Sequence, residues 1–288
     1  MTSVLFDAPG PRAKARYRLL AIAGATALVV VVGYVCWRFF DTGQFTARKW
    51  EWLQYQRIQL DLIAAVFATL RAFALGSLLA LLFGAVFAAG RLSDHANVRR
   101  VSAFMVELFR AIPLVILMFL FFYGLPVTGL KLTPYVAVVL SLMLYNGSVL
   151  AEIFRGGVLS LPRGQREAAY ALGMRKTQVM TAVLLPQALR AMLPTILSQL
   201  VVLLKDTALG FLILYPELLR YAQYIGGQGV FSRPYVPTTI VVAAIYISMC
   251  LLLSWLANYL DRRTRRSPKL ADPNPLDNAR PGSEVLVT

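Results

Sequence analysis

Charge is scarce in this sequence. Asp, Glu, Lys and Arg make up 15% of its 288 residues, against roughly 25% in soluble domains. Acid is scarcer than base: 14 Asp and Glu face 29 Lys and Arg, a formal net charge of +15. Cysteine is limited to Cys36 and Cys250 and histidine to His95. The two cysteines sit in apolar stretches, as small hydrophobic residues do, and supply no disulfide framework. One histidine excludes a His/Cys metal cluster; in Ser93-Asp94-His95-Ala96-Asn97 it reads as a solvated loop residue. It also offers little to a Ser-His-Asp arrangement. No Gly-Lys dipeptide occurs, so a Walker A phosphate loop cannot be drawn. Gly226-Gly227-Gln228-Gly229 is glycine-rich but reads as a flexible loop. Neither a metal nor any other cofactor is expected in this chain.

What is present is apolar length. Hydrophobic residues make up 58% of the chain, with 19 uncharged residues between Arg18 and Arg38 and 27 between Arg233 and Asp261. A helix crosses the hydrocarbon core with about 20 residues. Six spans are expected, at residues 19–37, 66–89, 112–125, 133–151, 188–214 and 236–260. The third is crowded by Pro113, Gly124, Pro126 and Gly129. The expected fold is therefore all-α, a polytopic membrane bundle of six transmembrane helices. The first span is longer than a signal-peptide core, and Trp37-Arg38-Phe39-Phe40-Asp41 offers no small-residue cleavage pattern. It is read as retained. The tail at 261–288, with Pro268, Pro273, Pro275 and Pro281, reads as polar and disordered.

The basic residues orient the spans, since cytoplasmic loops carry the excess of Lys and Arg. With the N-terminus inside, twenty fall in inside segments and six outside, while Arg38, Arg71 and Lys205 lie in or beside spans. Both termini are then cytoplasmic, in a multi-pass protein of the cell membrane. The same distribution accounts for the net charge without a nucleic-acid partner. Ala72, Gly76, Ala80, Gly84 and Ala88 recur every four residues along the second span, a stripe that lets two helix backbones approach. Packing is a sufficient reading of it.

The most patterned segment is the loop at 155–186. It contains Gly164-Gln165-Arg166-Glu167-Ala168-Ala169-Tyr170-Ala171-Leu172-Gly173 and closes with Val183-Leu184-Leu185-Pro186. A short helix stopping at Gly173 is expected, followed by a second piece capped by Thr177. Glu167-Ala168-Ala169, Gly173 six residues after the Glu, and Leu185-Pro186 resemble the "EAA" loop of permeases in bacterial binding-protein-dependent ABC importers. Three further segments resemble the polar amino-acid branch of that family: Glu107-Leu108-Phe109-Arg110-Ala111-Ile112-Pro113-Leu114, Ala151-Glu152-Ile153-Phe154-Arg155-Gly156-Gly157, and Leu203-Leu204-Lys205-Asp206-Thr207. Asp7-Ala8-Pro9-Gly10-Pro11-Arg12 looks like the start of actinobacterial glutamate permeases, which favours glutamate as substrate.

The resemblance implies an organisation. Residues 1–18 form a cytoplasmic tail, 19–60 the first span with its outer loop, 61–260 the permease core and 261–288 a second cytoplasmic tail. It implies that Gly164, Glu167, Ala168, Ala169, Gly173, Leu185 and Pro186 couple the pore to a separate ATP-binding cassette subunit. The other implied partners are an extracytoplasmic amino-acid-binding protein and a second permease, homologous or identical, all set in membrane lipid. The chain itself would be a transport subunit and no enzyme.

Polar groups inside spans usually face the bundle interior. Ser141, Tyr145, Ser148 and Glu152 share one helical face, and Gln199 lies seven residues before Asp206. The serines read as interhelical hydrogen bonders. Lys205 and Asp206, charged in the middle of an apolar helix, read as a site or gate for a zwitterion, with Glu152, Gln199 and Arg71 as further pathway candidates. Arg71, near the outer end of its span, is placed to snorkel. An ion-coupled secondary amino-acid carrier is the alternative, although no internal repeat is visible. A membrane-embedded enzyme is a third class, for which no nucleophile or metal constellation is recognisable.

Overall fold

A segment in hydrocarbon must satisfy its own backbone hydrogen bonds, so long uncharged runs become helices. A computed structural model describes residues 10–264, and every regular element among them is helical. Helix α1 spans Pro11–Asp41, with proline in its first turn, where the missing N–H costs nothing. It already contains residues 11–18 of the segment expected as an N-terminal tail. Helix α2 spans Gln56–Arg91 and α3 Ala96–Ala111. Ile112 is then extended, φ −87 and ψ 122, as a residue before proline prefers.

Helix α4, Leu114–Phe119, starts after Pro113 and loosens into a π turn at Leu120–Gly124 and a 3-10 turn at Leu125–Thr128. Helix α5 spans Pro134–Leu159, α6 Arg163–Ala171, α7 Leu185–Asp206, α8 Leu218–Gly226 and α9 Tyr235–Thr264. Among the described residues, five helical segments are long and apolar enough to cross a membrane, and a sixth span results if the broken pair α3–α4 counts as one. The disorder expected of the tail falls on residues 265–288, outside the described residues; 261–264 belong to α9.

Three expectations are corrected. The glycine-rich segment is a loop only at Gly227 and Gln228: Gly226 ends α8, where a Cβ would come within 2.6 Å of the Tyr235 ring, and Gly229 opens a 3-10 turn. Thr177 caps nothing, since the short turn Lys176–Gln178 is headed by Arg175, whose N–H donates to the Gln178 side chain at 2.8 Å. That turn also runs on through a π turn at Val179–Leu184 into α7. Pro186 explains the widening, because its ring displaces the carbonyl four residues back and its N–H is missing.

The described residues divide into two compact units. One draws on residues 10–76, 114–141 and 204–248, the other on residues 77–113, 142–203 and 249–264. In the first, Leu117, Met118, Ile213, Tyr215 and Leu218 are buried. The Tyr215 hydroxyl donates to Ala68 O at 2.6 Å and that of Tyr221 to Ile58 O at 2.7 Å, tying the α8 region to α2. In the second, α2 and α5 meet at glycines: a Cβ on Gly84 would lie 2.9 Å from Leu150 Cβ, and one on Gly147 3.1 Å from Ala80 O. All five residues of the small stripe are buried, as packing requires.

Candidate coupling helix and intramembrane charges

Helix α6 is nine residues long and ends in two backbone bonds of the Schellman type. Gly173 N–H donates to Tyr170 O at 2.9 Å and Met174 N–H to Ala169 O at 3.3 Å. Gly173 takes φ +77, which a side chain disfavours. Ala169 is buried against the chain, while Gly164, Glu167, Ala168, Leu185 and Pro186 are exposed. A Cβ at Gly164 would meet nothing within 4 Å, so internal packing does not demand glycine there. Gly164, Gln165, Ala168, Leu172 and Val183 border an open hollow of about 480 Å³. Gln187 donates to the Gln165 side chain at 3.1 Å, linking α6 to α7. Lys176 Nζ reaches Asp94 at 2.5 Å and Leu92 O at 3.3 Å. The hydrogen bond from Lys176 holds the Asp94 carboxyl below its usual range.

The intramembrane candidates separate. Glu152 sits among arginines: it touches Arg91, accepts from Arg155 Nη2 at 3.0 Å and lies 3.8 Å from Arg110. Arg91 also reaches Glu107 at 3.6 Å. Gln199 donates to Asn146 Oδ1 at 2.7 Å, a bond between α7 and α5. Arg71 does not merely snorkel; its guanidinium lies 4.3 Å from the Tyr135 ring centroid, a cation–π contact. Lys205 and Asp206 are not in mid-helix. They end α7, where it tightens into the 3-10 turn Thr207–Ile213, and a cation there complements the helix dipole. Lys205 is exposed and Asp206 partly buried. The serines bond within their own helices, Ser141 to Ala137 O, Ser148 to Tyr145 O and Ser198 to Pro194 O, which corrects the interhelical reading.

Sequence reasoning missed Glu217. Its side chain is fully buried and caps α8, accepting from Leu219 N–H at 2.8 Å and Arg220 N–H at 2.6 Å. The Tyr246 hydroxyl donates to it at 2.7 Å. Burial pushes its pKa up to about 7, against the pull of these donors. Glutamate is not a preferred N-cap; the available signal was an acid after Pro216 and before the apolar residues of α8.

Residues 80–266 match the family of binding-protein-dependent transport system inner membrane components. The chain belongs to this family. Among relatives of this permease, the glutamate transport system permease protein GluD of Corynebacterium glutamicum is 40% identical over 77% of this chain and 82% of its own. The probable glutamine ABC transporter permease protein GlnP of Bacillus subtilis is 36% identical over 65% of this chain and 85% of its own. The permease also resembles the crystal structure of an amino acid ABC transporter with histidines. There the TM-score is 0.68 at 31% identity, covering 74% of this chain and 98% of that one. Its helices have the type I ABC importer permease fold, and it is a multi-pass membrane protein and an amino-acid ABC transporter permease. The ion-coupled carrier reading gives way to that membership.

Proposed function

We propose that this permease carries glutamate into the cell, driven by a separate ATP-binding cassette subunit that seats on α6 and fed by an extracytoplasmic binding protein. One observation carries the reading. Helix α6 is fixed at its end by Gly173 and anchored by Ala169, yet leaves Gly164, Glu167 and Ala168 outward beside an open hollow. Small residues there admit a partner's backbone, and Glu167 offers it a carboxylate. Glutamate is favoured by the relative GluD, while another relative is a probable glutamine permease. The pore is formed with a second permease subunit, within membrane lipid, and both termini face the cytoplasm. Lys205 and Asp206 act as a site or gate, because an amino acid brings groups of both signs into the pore.

The test is uptake of labelled glutamate into vesicles holding the complete complex. ATP-dependent uptake, competed by glutamate and not by glutamine, is expected. Lys205→Met and Asp206→Asn are expected to assemble and lose uptake. Equal competition by glutamine overturns the substrate, and normal uptake by both variants overturns the gate.

A further inference from the structure

Two cavities of opposite character adjoin in the unit containing α6. One is an apolar groove of about 540 Å³ whose lining includes Ala85, Ala89, Phe154, Leu185, Leu189 and Met192. The other, of about 880 Å³, is strongly basic: Arg91, Arg99, Arg155, Arg163, Arg166 and Lys176 line it, with Asp94 its one carboxylate. Leu92, Ser93, Val158, Lys176 and Met180 line both. The change from apolar to basic therefore falls where α2 ends at Arg91 and α5 at Leu159. Arg91 and Arg155 are engaged by Glu152, and Lys176 by Asp94. Arg99, Arg163 and Arg166 form no ion pair among the described residues; Arg99 donates only to the carbonyls of Ser93 and Asp94.

We infer that this pair of cavities binds one anionic phospholipid, its phosphate in the basic cavity and an acyl chain in the apolar groove. Basic pockets between helices at the membrane surface hold acidic headgroups, through charges still free to meet a phosphate. Arginine suits that role through its planar set of donors. An acidic protein surface would answer the arginines but leave the apolar groove uncovered. A lipid answers both. The lipid would brace the turn between α2 and α3 against α6, which places it beside the helix assigned to coupling. The inference rests on the chain being a membrane protein and not on the substrate or coupling assignments.

The test is native mass spectrometry of the detergent-purified full chain, titrated with phosphatidylglycerol or phosphatidylcholine. Retention of phosphatidylglycerol over phosphatidylcholine is expected. Each cation near the headgroup contributes about fivefold, so the Arg99→Gln/Arg166→Gln pair should weaken binding roughly thirtyfold. Ala85→Trp, which fills the groove and leaves the charges in place, should weaken it too, and free glycerol phosphate should not compete. Three outcomes overturn the inference: equal retention of both lipids, unchanged binding in Ala85→Trp, or displacement by glycerol phosphate. A fourth is loss of ATPase-subunit association in the arginine variant with lipid retention intact, which would make the basic cavity a protein contact.

Discussion

Glu217 shows how a single residue's chemistry is set by its surroundings. A carboxyl group whose pKa rises from 4.5 to about 7 on burial holds a proton in the folded protein that the unfolded chain releases. Stability then falls as pH rises from about 4.5 to about 7, by roughly 3 kcal/mol over the whole window, and is level above it. Glu217→Gln keeps one oxygen, enough to accept from Arg220 N–H or Leu219 N–H, which bond different carboxylate oxygens, but cannot ionise. Its thermal unfolding in detergent should show a flatter dependence across that window than the parent's. An identical slope in the variant would remove Glu217 as the titrating group. Glu152 is the contrast, since it lies among arginines, touching Arg91 and Arg155. Nothing in the residue type separates these two acids; one was legible as a candidate from its place in a span, and the other, in a turn, was not.

At the scale of the element, the short helix α6 was legible in advance because its ends are written locally. Gly173 stops it through φ +77 and two backbone bonds. A glycine-to-side-chain change there costs about 1 kcal/mol or more of local strain, too little to prevent insertion of long apolar spans. Gly173→Arg should therefore reach the membrane in normal amount, yet lose amino-acid uptake and pull-down of the ATPase subunit, because the helix end is displaced. Normal uptake would defeat the coupling assignment. The length of the following helix was not legible in the same way. A separate piece capped by Thr177 was expected ahead of a span at 188–214, whereas a π turn at Val179–Leu184 precedes Pro186 and the helix continues. The glycines near 226 misled for a related reason. Glycine there serves the close approach of the Tyr235 ring, and that ring belongs to the next helix.

For the whole molecule, the twenty-to-six distribution of basic residues predicts sidedness. In a background carrying Cys36→Ser and Cys250→Ser, Gln228→Cys should react with an impermeant thiol reagent on intact cells. Gln165→Cys should react only after the membrane is opened, and its labelling from outside would overturn the topology. Membrane residence, the approximate spans and the permease family could all be read from residues alone. Apolar run length, loop charge and a motif's spacing are properties of neighbours along the chain, and each survives any rearrangement of the helices. Tertiary structure decided which polar groups have partners: Glu152 with Arg91, Gln199 with Asn146, Glu217 with Tyr246. It also decided that Glu217 is buried at all, and that a basic cavity opens onto an apolar groove. Those pairings join residues 29 to 61 positions apart, and burial depends on which helix faces meet. Both are set by packing between segments, to which local sequence pattern is blind.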